Sequence, residues 1–208
     1  VLKSLCGQTV LAHVILRVRA CSLIDEIVVA TTTLSQDDAI VIEARHCGAL
    51  YFRGSEKDVL SRYYVAAREH HADTVLRVTA DDPLVDPCVL RQILEHYSAE
   101  FARGSRIDYL SNNLGKRTYP LGLDSEVISL DALTRAYNEA RALSDREHVT
   151  SFIYHNPDQF VLCNCPSPVD LSQHRWTLDT EEDWMLILEI YTALFKPGKI
   201  FSPEEVLR

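Results

Sequence analysis

Two acidic positions carry most of the chemistry in this sequence. Residues 74–87 read TVLRVTADDPLVDP: an apolar run, Val75, Leu76 and Val78, breaks at Asp81-Asp82-Pro83. β-Branched residues followed by charge and proline describe a buried strand delivering a loop at its carboxyl end. Open α/β sheets bind ligands outside that end of their strands. Residues 175–178 repeat the arrangement, a short terminal strand entering Asp179 and then a helix. If both strands lie in one parallel sheet, both loops open at the same edge, and a metal can be clamped between Asp81 and Asp179. Such carboxylates suit Mg²⁺, a hard cation that takes oxygen ligands and keeps several waters. With phosphate oxygens in its shell, it would polarise a phosphoryl centre and stabilise a leaving group. The plainer readings are a solvated acidic loop at Asp81-Asp82 and a helix-entry residue at Asp179.

Asn112, Asn113, Asp124 and Glu126 have the hydrogen-bonding groups to order a polyhydroxylated ligand, or equally to satisfy a buried turn. His148 reads as a helix-flank residue and His70-His71 as a polar helix end. There is no GxGxxG, no Walker sequence and no G-x-S-x-G elbow.

These residues need elements to hold them. Apolar residues at helical spacing predict a helix from Val10 to about Ala20, and β-branching predicts a strand over 26–33. Ser35 with Asp38 reads as a capping box opening a helix to His46; Ser55 with Asp58 reads as a second, before a helix carrying Leu60, Tyr63 and Ala67. The strand over 74–79 follows. Asp86 is a good N-cap, with Pro87 where its missing N–H is harmless. This strand–helix rhythm predicts a parallel sheet with right-handed crossovers. Beyond Glu100 the pattern changes: a short strand over 108–113, a turn-rich loop over 118–124, an edge or antiparallel strand over 126–130, helices over 130–142 and 145–155, and a strand over 160–164. Thr180 with Asp183 is a further capping box, opening the last long helix. Residues 101–130 are the expected excursion from the sheet of a single domain spanning 1–208.

Composition bounds the partners. The 208 residues are 47% hydrophobic, enough for a real core, and carry a net charge of −9. No Lys/Arg-rich block provides a footprint for nucleic acid. The six cysteines follow neither zinc nor disulfide-scaffold spacing, and no apolar stretch has the length of a secretory or membrane segment. A reducing, cytoplasmic setting is the simplest fit.

Taken together, the motifs resemble the cytidylyltransferase family, closest to the F-type proteins of spore-coat polysaccharide biosynthesis and related to the acylneuraminate and deoxyoctulosonate cytidylyltransferases. The resemblance rests on Leu2-Lys3-x-Leu5-x-Gly7, Val29-Ala30-Thr31-Thr32, Arg53-Gly54-Ser55-Glu56-x-Asp58-Val59-Leu60 and Arg77-Val78-Thr79-Ala80-Asp81-x-Pro83-Leu84-x-Asp86. It continues through Ser111-Asn112-Asn113, Tyr119-Pro120-x-Gly122-Leu123-Asp124-x-Glu126, Arg146-Glu147-His148-Val149-Thr150 and Arg175-Trp176-Thr177-x-Asp179-Thr180-x-x-Asp183. It implies a three-layer, Rossmann-like nucleotidyltransferase fold with a mostly parallel sheet. It also implies a Mg²⁺-dependent reaction in which a sugar oxygen attacks the α-phosphorus of CTP and pyrophosphate leaves. Under it, Asp81 and Asp179 are the metal-binding, catalytic aspartates. Asn112, Asn113, Asp124 and Glu126 line the sugar side, and Arg53, Ser55 and Lys3 the nucleotide side. No membrane partner is implied, and a homodimer is common in the wider family. Relatives begin with a strand and a loop of the form A-R-x-G-S-x-R-L-P-G-K. The present sequence starts just beyond that place, so an exposed sheet edge or a slot is expected where the first strand would lie. The competing expectations are a non-catalytic nucleotide- or sugar-binding relative and a glycosyltransferase using a nucleotide-sugar donor.

Overall fold

A computed structural model describes all residues, 1–208. The chain opens with a small antiparallel hairpin, β1 (Ser4–Leu5) and β2 (Gln8–Thr9), and then α1 (Val10–Arg19). The Thr9 hydroxyl caps α1 by accepting the Ala12 N–H at 3.0 Å, and Arg17 and Arg19 occupy the last turn, at the negative end of the dipole. β3 (Val28–Thr32), a short 3₁₀ turn, α2 (Asp38–His46), β4 (Leu50–Gly54), α3 (Val59–Glu69) and β5 (Thr74–Arg77) then alternate as predicted. The chain continues through α4 (Pro87–Ala102), β6 (Tyr109–Ser111), β7 (Glu126–Ser129) and α5 (Leu130–Glu139). Two short helices, α6 (Leu143–Glu147) and α7 (Ser151–Tyr154), lead to β8 (Leu162–Asn164), α8 (Glu181–Leu194) and α9 (Pro203–Val206).

Three layers result. Along β6 and β7 successive side chains alternate between faces. Tyr109 and Ile128 pack with Leu60 of α3, Leu133 of α5 and Ile153 of α7. Leu110 and Val127 pack on the opposite face with Ile93 of α4, Ile187 of α8 and Trp176.

The sheet is mixed, and the strand expected over 126–130 as edge or antiparallel is antiparallel but not at the edge. β3 and β4 pair in parallel, whereas the larger sheet has the order β5-β7-β6-β8, with β7 antiparallel to both its neighbours. β7 is thus an interior strand, and its direction places Glu126 opposite Arg77 at the carboxyl end of β5. Within 101–130, β6 and β7 belong to the larger sheet, and residues 112–125 form the loop between them.

The two sheets do not join. A cavity of about 790 Å³ separates β3 from β5, walled by Leu11, Val14 and Val18 of α1 and by Tyr63 and Ala66 of α3. β3 pairs only with β4, and β5 only with β7, so each turns an unpaired edge to this slot. The expectation of an open position in the sheet is met.

Local chemistry explains two further departures. Neither Ser35 nor Ser55 caps a helix. Asp37 accepts from both the Thr31 and Thr32 hydroxyls, which pins the turn before α2. The N-cap of α3 is Asp58, accepting the Ser61 N–H at 2.9 Å, while Ser55 Oγ accepts the Asp58 N–H at 3.1 Å. The helix expected over 145–155 is interrupted because Val149, fully buried, adopts φ +48°, a region β-branched residues rarely enter. That turn brings the Thr150 hydroxyl onto Glu126 at 2.8 Å.

Candidate active site

β5 ends at Arg77, and the chain folds at once into the acidic loop. Asp82 turns inward and is 3% exposed. It accepts the Thr79 hydroxyl at 2.6 Å, which closes the loop upon itself. Asp81, beside it, is only half-buried. Behind the loop, the buried Tyr191 of α8 donates its hydroxyl to Pro83 O at 2.6 Å, and Arg17 of α1 donates to Val85 O at 3.3 Å. The acidic turn is therefore held from below by two helices.

The second acidic segment packs against the first. Leu84, just beyond the acidic loop, shares one buried cluster with Trp176 and with Leu123. The 119–124 turn is threaded onto the same segment: Leu121 N donates to His174 O at 3.0 Å, and Trp176 N donates to Leu121 O at 2.6 Å. Gly122 makes this approach possible. A Cβ there would lie 2.5 Å from the Trp176 carbonyl carbon, and its φ of +103° disfavours any side chain. Three chain segments, 79–82, 119–126 and 175–179, thus converge at one edge.

Asp179 stands at the entrance to α8, but the strand expected over 175–178 is absent: that segment makes only an isolated bridge from Arg175 to Leu121, so the loop carrying Asp124 rather than a sheet strand holds it. Asp179 Oδ2 accepts from Arg175 Nη2 at 2.7 Å. Arg175 forks onto Asp183, with Nε to Oδ1 and Nη2 to Oδ2, both at 2.8 Å. Asp183 Oδ2 also accepts the N–H groups of Asp179 and Thr180, each at 3.0 Å, and Thr180 Oγ1 accepts the Asp183 N–H at 3.2 Å, so the predicted capping box is present. The Arg175 hydrogen bonds hold the Asp183 carboxyl well below the usual carboxylate range.

Burial first, and then the neighbouring carboxylates of Asp81 and Asp124, push the Asp82 carboxyl up to about 7 against the opposing bonds from Thr79 and Thr177. With a folded pKa above the unfolded value, Asp82 keeps its proton in the native state between about pH 4 and pH 7, where the unfolded chain has lost it. Stability from this group therefore falls as pH rises through that window. In EDTA, urea denaturation should give a protein more stable at pH 5 than at pH 8, by at most about 3 kcal/mol from Asp82. Asp82→Asn should flatten that slope; an unchanged slope would remove Asp82 as its source.

The donors at this edge are oxygen atoms, and Asp82 is destabilised by negative charge gathered around it, a fit to a hard divalent cation. No group of three or more His, Cys, Asp or Glu side chains forms a self-sufficient metal cage. Phosphate oxygens and water would have to supply the remaining ligands.

The other candidate residues divide. Asn113 and Asp124 are partly exposed; Asp124 pairs with Arg117, and Asn113 accepts the Ser111 hydroxyl at 2.6 Å. Asn112 is fully buried, with its amide donating to Leu123 O at 2.7 Å and accepting the Ser125 N–H at 3.0 Å. Glu126 is 7% exposed and accepts from Arg77, Tyr109 and Thr150. These two are not free to meet a sugar; they hold the loop that carries Asp124. On the nucleotide side, Arg53 is committed to Thr32 O and Leu34 O, both at 2.8 Å, and to Asp38 at 2.7 Å. Lys3 lies 3.8 Å over the Trp184 ring beside Glu181, and Ser55 is exposed. The Arg175–Asp183 fork and the role of Arg77 were not foreseen. Arg77 meets Glu126 across 49 residues of chain, whereas the Arg175–Asp183 fork spans eight, and only the Thr180–Asp183 spacing signals part of it.

Comparison with known proteins identifies the family and the fold. A family model described as cytidylyltransferase matches residues 1–197. An uncharacterised protein of Methanocaldococcus jannaschii is 36% identical over 192 residues, covering 91% of this chain and 75% of that one. The spore coat polysaccharide biosynthesis protein SpsF of Bacillus subtilis is 33% identical over 174 residues, covering 80% and 67%. A solved cytidylyltransferase from Leptospira borgpetersenii superposes with a TM-score of 0.92 at 28% identity, over 99% of this chain and 84% of that one.

Proposed function

The chain belongs to the cytidylyltransferase family, and on that premise we propose that it transfers CMP from CTP to a sugar hydroxyl, releasing pyrophosphate, in the synthesis of a polysaccharide or glycoconjugate. The observation that supports this reading is the bond from the Tyr191 hydroxyl of α8 to Pro83 O at 2.6 Å, which ties the helix that Asp179 heads to the loop that carries Asp81. The sugar oxygen bonds to the α-phosphorus while the bond from that phosphorus to its bridging oxygen breaks. The electron pair departs on pyrophosphate, and the hydroxyl proton is released. Such a reaction is governed by in-line positioning and charge neutralisation, with no need for a protein nucleophile. Asp81 and Asp179 would hold Mg²⁺, which supplies positive charge for the phosphates and the leaving group.

The chain's own residues supply the frame. Asn113 and Asp124 face the acceptor, while Asn112 and Glu126 fix the backbone that presents them. The side on which CTP lies adjoins Arg53, Ser55 and Lys3. No helix is long and apolar enough to cross a membrane. All six cysteines are unpaired, which suits a reducing cytoplasm.

The test is pyrophosphate release from each of the four ribonucleoside triphosphates with a panel of sugars and Mg²⁺. The expected result is release that requires both CTP and one sugar class. Tight binding of an intact nucleotide sugar, with no release from any triphosphate, would replace this reading with the glycosyltransferase or binding-protein alternative.

A further inference from the structure

Asp179 is the more exposed of the two proposed ligands, yet it is not free to turn. Its side chain is 52% exposed, but Oδ2 is held by Arg175 Nη2 at 2.7 Å. Its other oxygen, Oδ1, has no partner within the chain. Arg175 in turn cannot swing aside cheaply. Two of its nitrogens lie in a planar fork on Asp183, a geometry that fixes direction as well as distance. The Asp183 side chain is itself 7% exposed and locked by the N–H groups of Asp179 and Thr180.

We propose that Arg175, braced by Asp183, confines Asp179 to binding a divalent cation through a single carboxylate oxygen. Chelation through both oxygens would require Oδ2 to release Arg175 and would break up the fork. The restraint keeps one coordination position for water or a phosphate oxygen, and the resident guanidinium weakens the protein's own hold on the cation. The backbone bonds of Leu121 to His174 and Trp176 flank Arg175, so the acceptor loop and this restraint share one scaffold. Arg175 and Asp183 are positioning residues in this account. It rests on the reading of Asp179 as a metal ligand.

The experiment is a titration with Mn²⁺ alone, read by electron paramagnetic resonance, with the waters on the bound ion counted in isotopically labelled water. Arg175→Met should bind Mn²⁺ roughly fivefold or more tightly, because Asp179 loses its intramolecular cation. The bound ion should carry one water fewer than in the parent. Arg175→Lys, which keeps the charge but cannot make the fork, should fall between the parent and Arg175→Met in affinity, and this order guards against a misfolded Met variant. In the pyrophosphate assay Arg175→Met should lower kcat about tenfold or more, the usual scale for losing a ligand's supporting partner. An unchanged water count with unchanged affinity would overturn the restraint. So would weaker binding in both Arg175 variants, since that would make Arg175 a support for binding rather than a limit on it. Absence of Mn²⁺ binding by the parent would sink both this proposal and the metal reading. The expected Mn²⁺ results without pyrophosphate release from CTP would sink the transfer reaction alone.

Discussion

Asp81→Asn and Asp179→Asn should each lower sugar-dependent pyrophosphate release by about a thousandfold or more, an increase in barrier of roughly 4 kcal/mol, while leaving the fold intact. Asparagine keeps the shape of each side chain and removes the charge. At Asp179 the loss is structurally mild, because Asp183 retains both its fork with Arg175 and its capping bonds. At Asp81 the removed charge is one of those that push up the Asp82 carboxyl. The variant should therefore melt at the same temperature as the parent, or slightly higher, at pH 8. Lost turnover with stability kept or gained is the signature of a site built against its own electrostatics. Both variants retaining activity within tenfold of the parent would take the two aspartates out of the reaction. Thermal melts of the same preparations distinguish that outcome from unfolding.

What the sequence revealed of this site was what its local chemistry determined. The Asp86 cap before Pro87 and the Thr180–Asp183 box involve groups three residues apart or closer, and both are present. The strand-then-acid pattern at Asp81 needs only one strand and its loop. By contrast, the interior position of β7 depends on pairing with β5, far from it in the chain, as well as with the preceding β6, and nothing within residues 126–129 specifies that distant partner. The same gap explains Asn112 and Glu126. Their polarity suggested a ligand, but polar residues that close a buried loop have the same composition, and only burial separates the two. Ser55 shows the converse limit. The Ser-x-x-Asp spacing is real, and the two residues do bond, but Asp58 outcompetes the serine for the N-cap because its carboxylate takes the Ser61 N–H.

Glu126 offers a test of that distinction with a large expected effect. Replacement by alanine should destabilise the protein by about 3–5 kcal/mol, the range for removing one partner of a buried ion pair. The reason lies in what remains. Burial works against the Arg77 cation, and the Glu126 carboxylate more than offsets it, holding the guanidinium above its ordinary pKa. Without that carboxylate, Arg77 stays at the end of β5 with only 23% of its side chain exposed and with an Nε that already lacks a partner. The Tyr109 hydroxyl, 2.5 Å from Glu126, and the Thr150 hydroxyl lose their acceptor as well. Removing the charge on the other side as well, in Arg77→Met with Glu126→Leu, should recover much of the loss, because no uncompensated ion remains. A sugar-contacting glutamate behaves differently: Glu126→Ala would raise the KM for the sugar and leave urea unfolding within about 1 kcal/mol of the parent. A large loss of stability, reversed in the double variant, therefore assigns Glu126 to the frame beneath the site. Its absence would return Glu126 to the sugar.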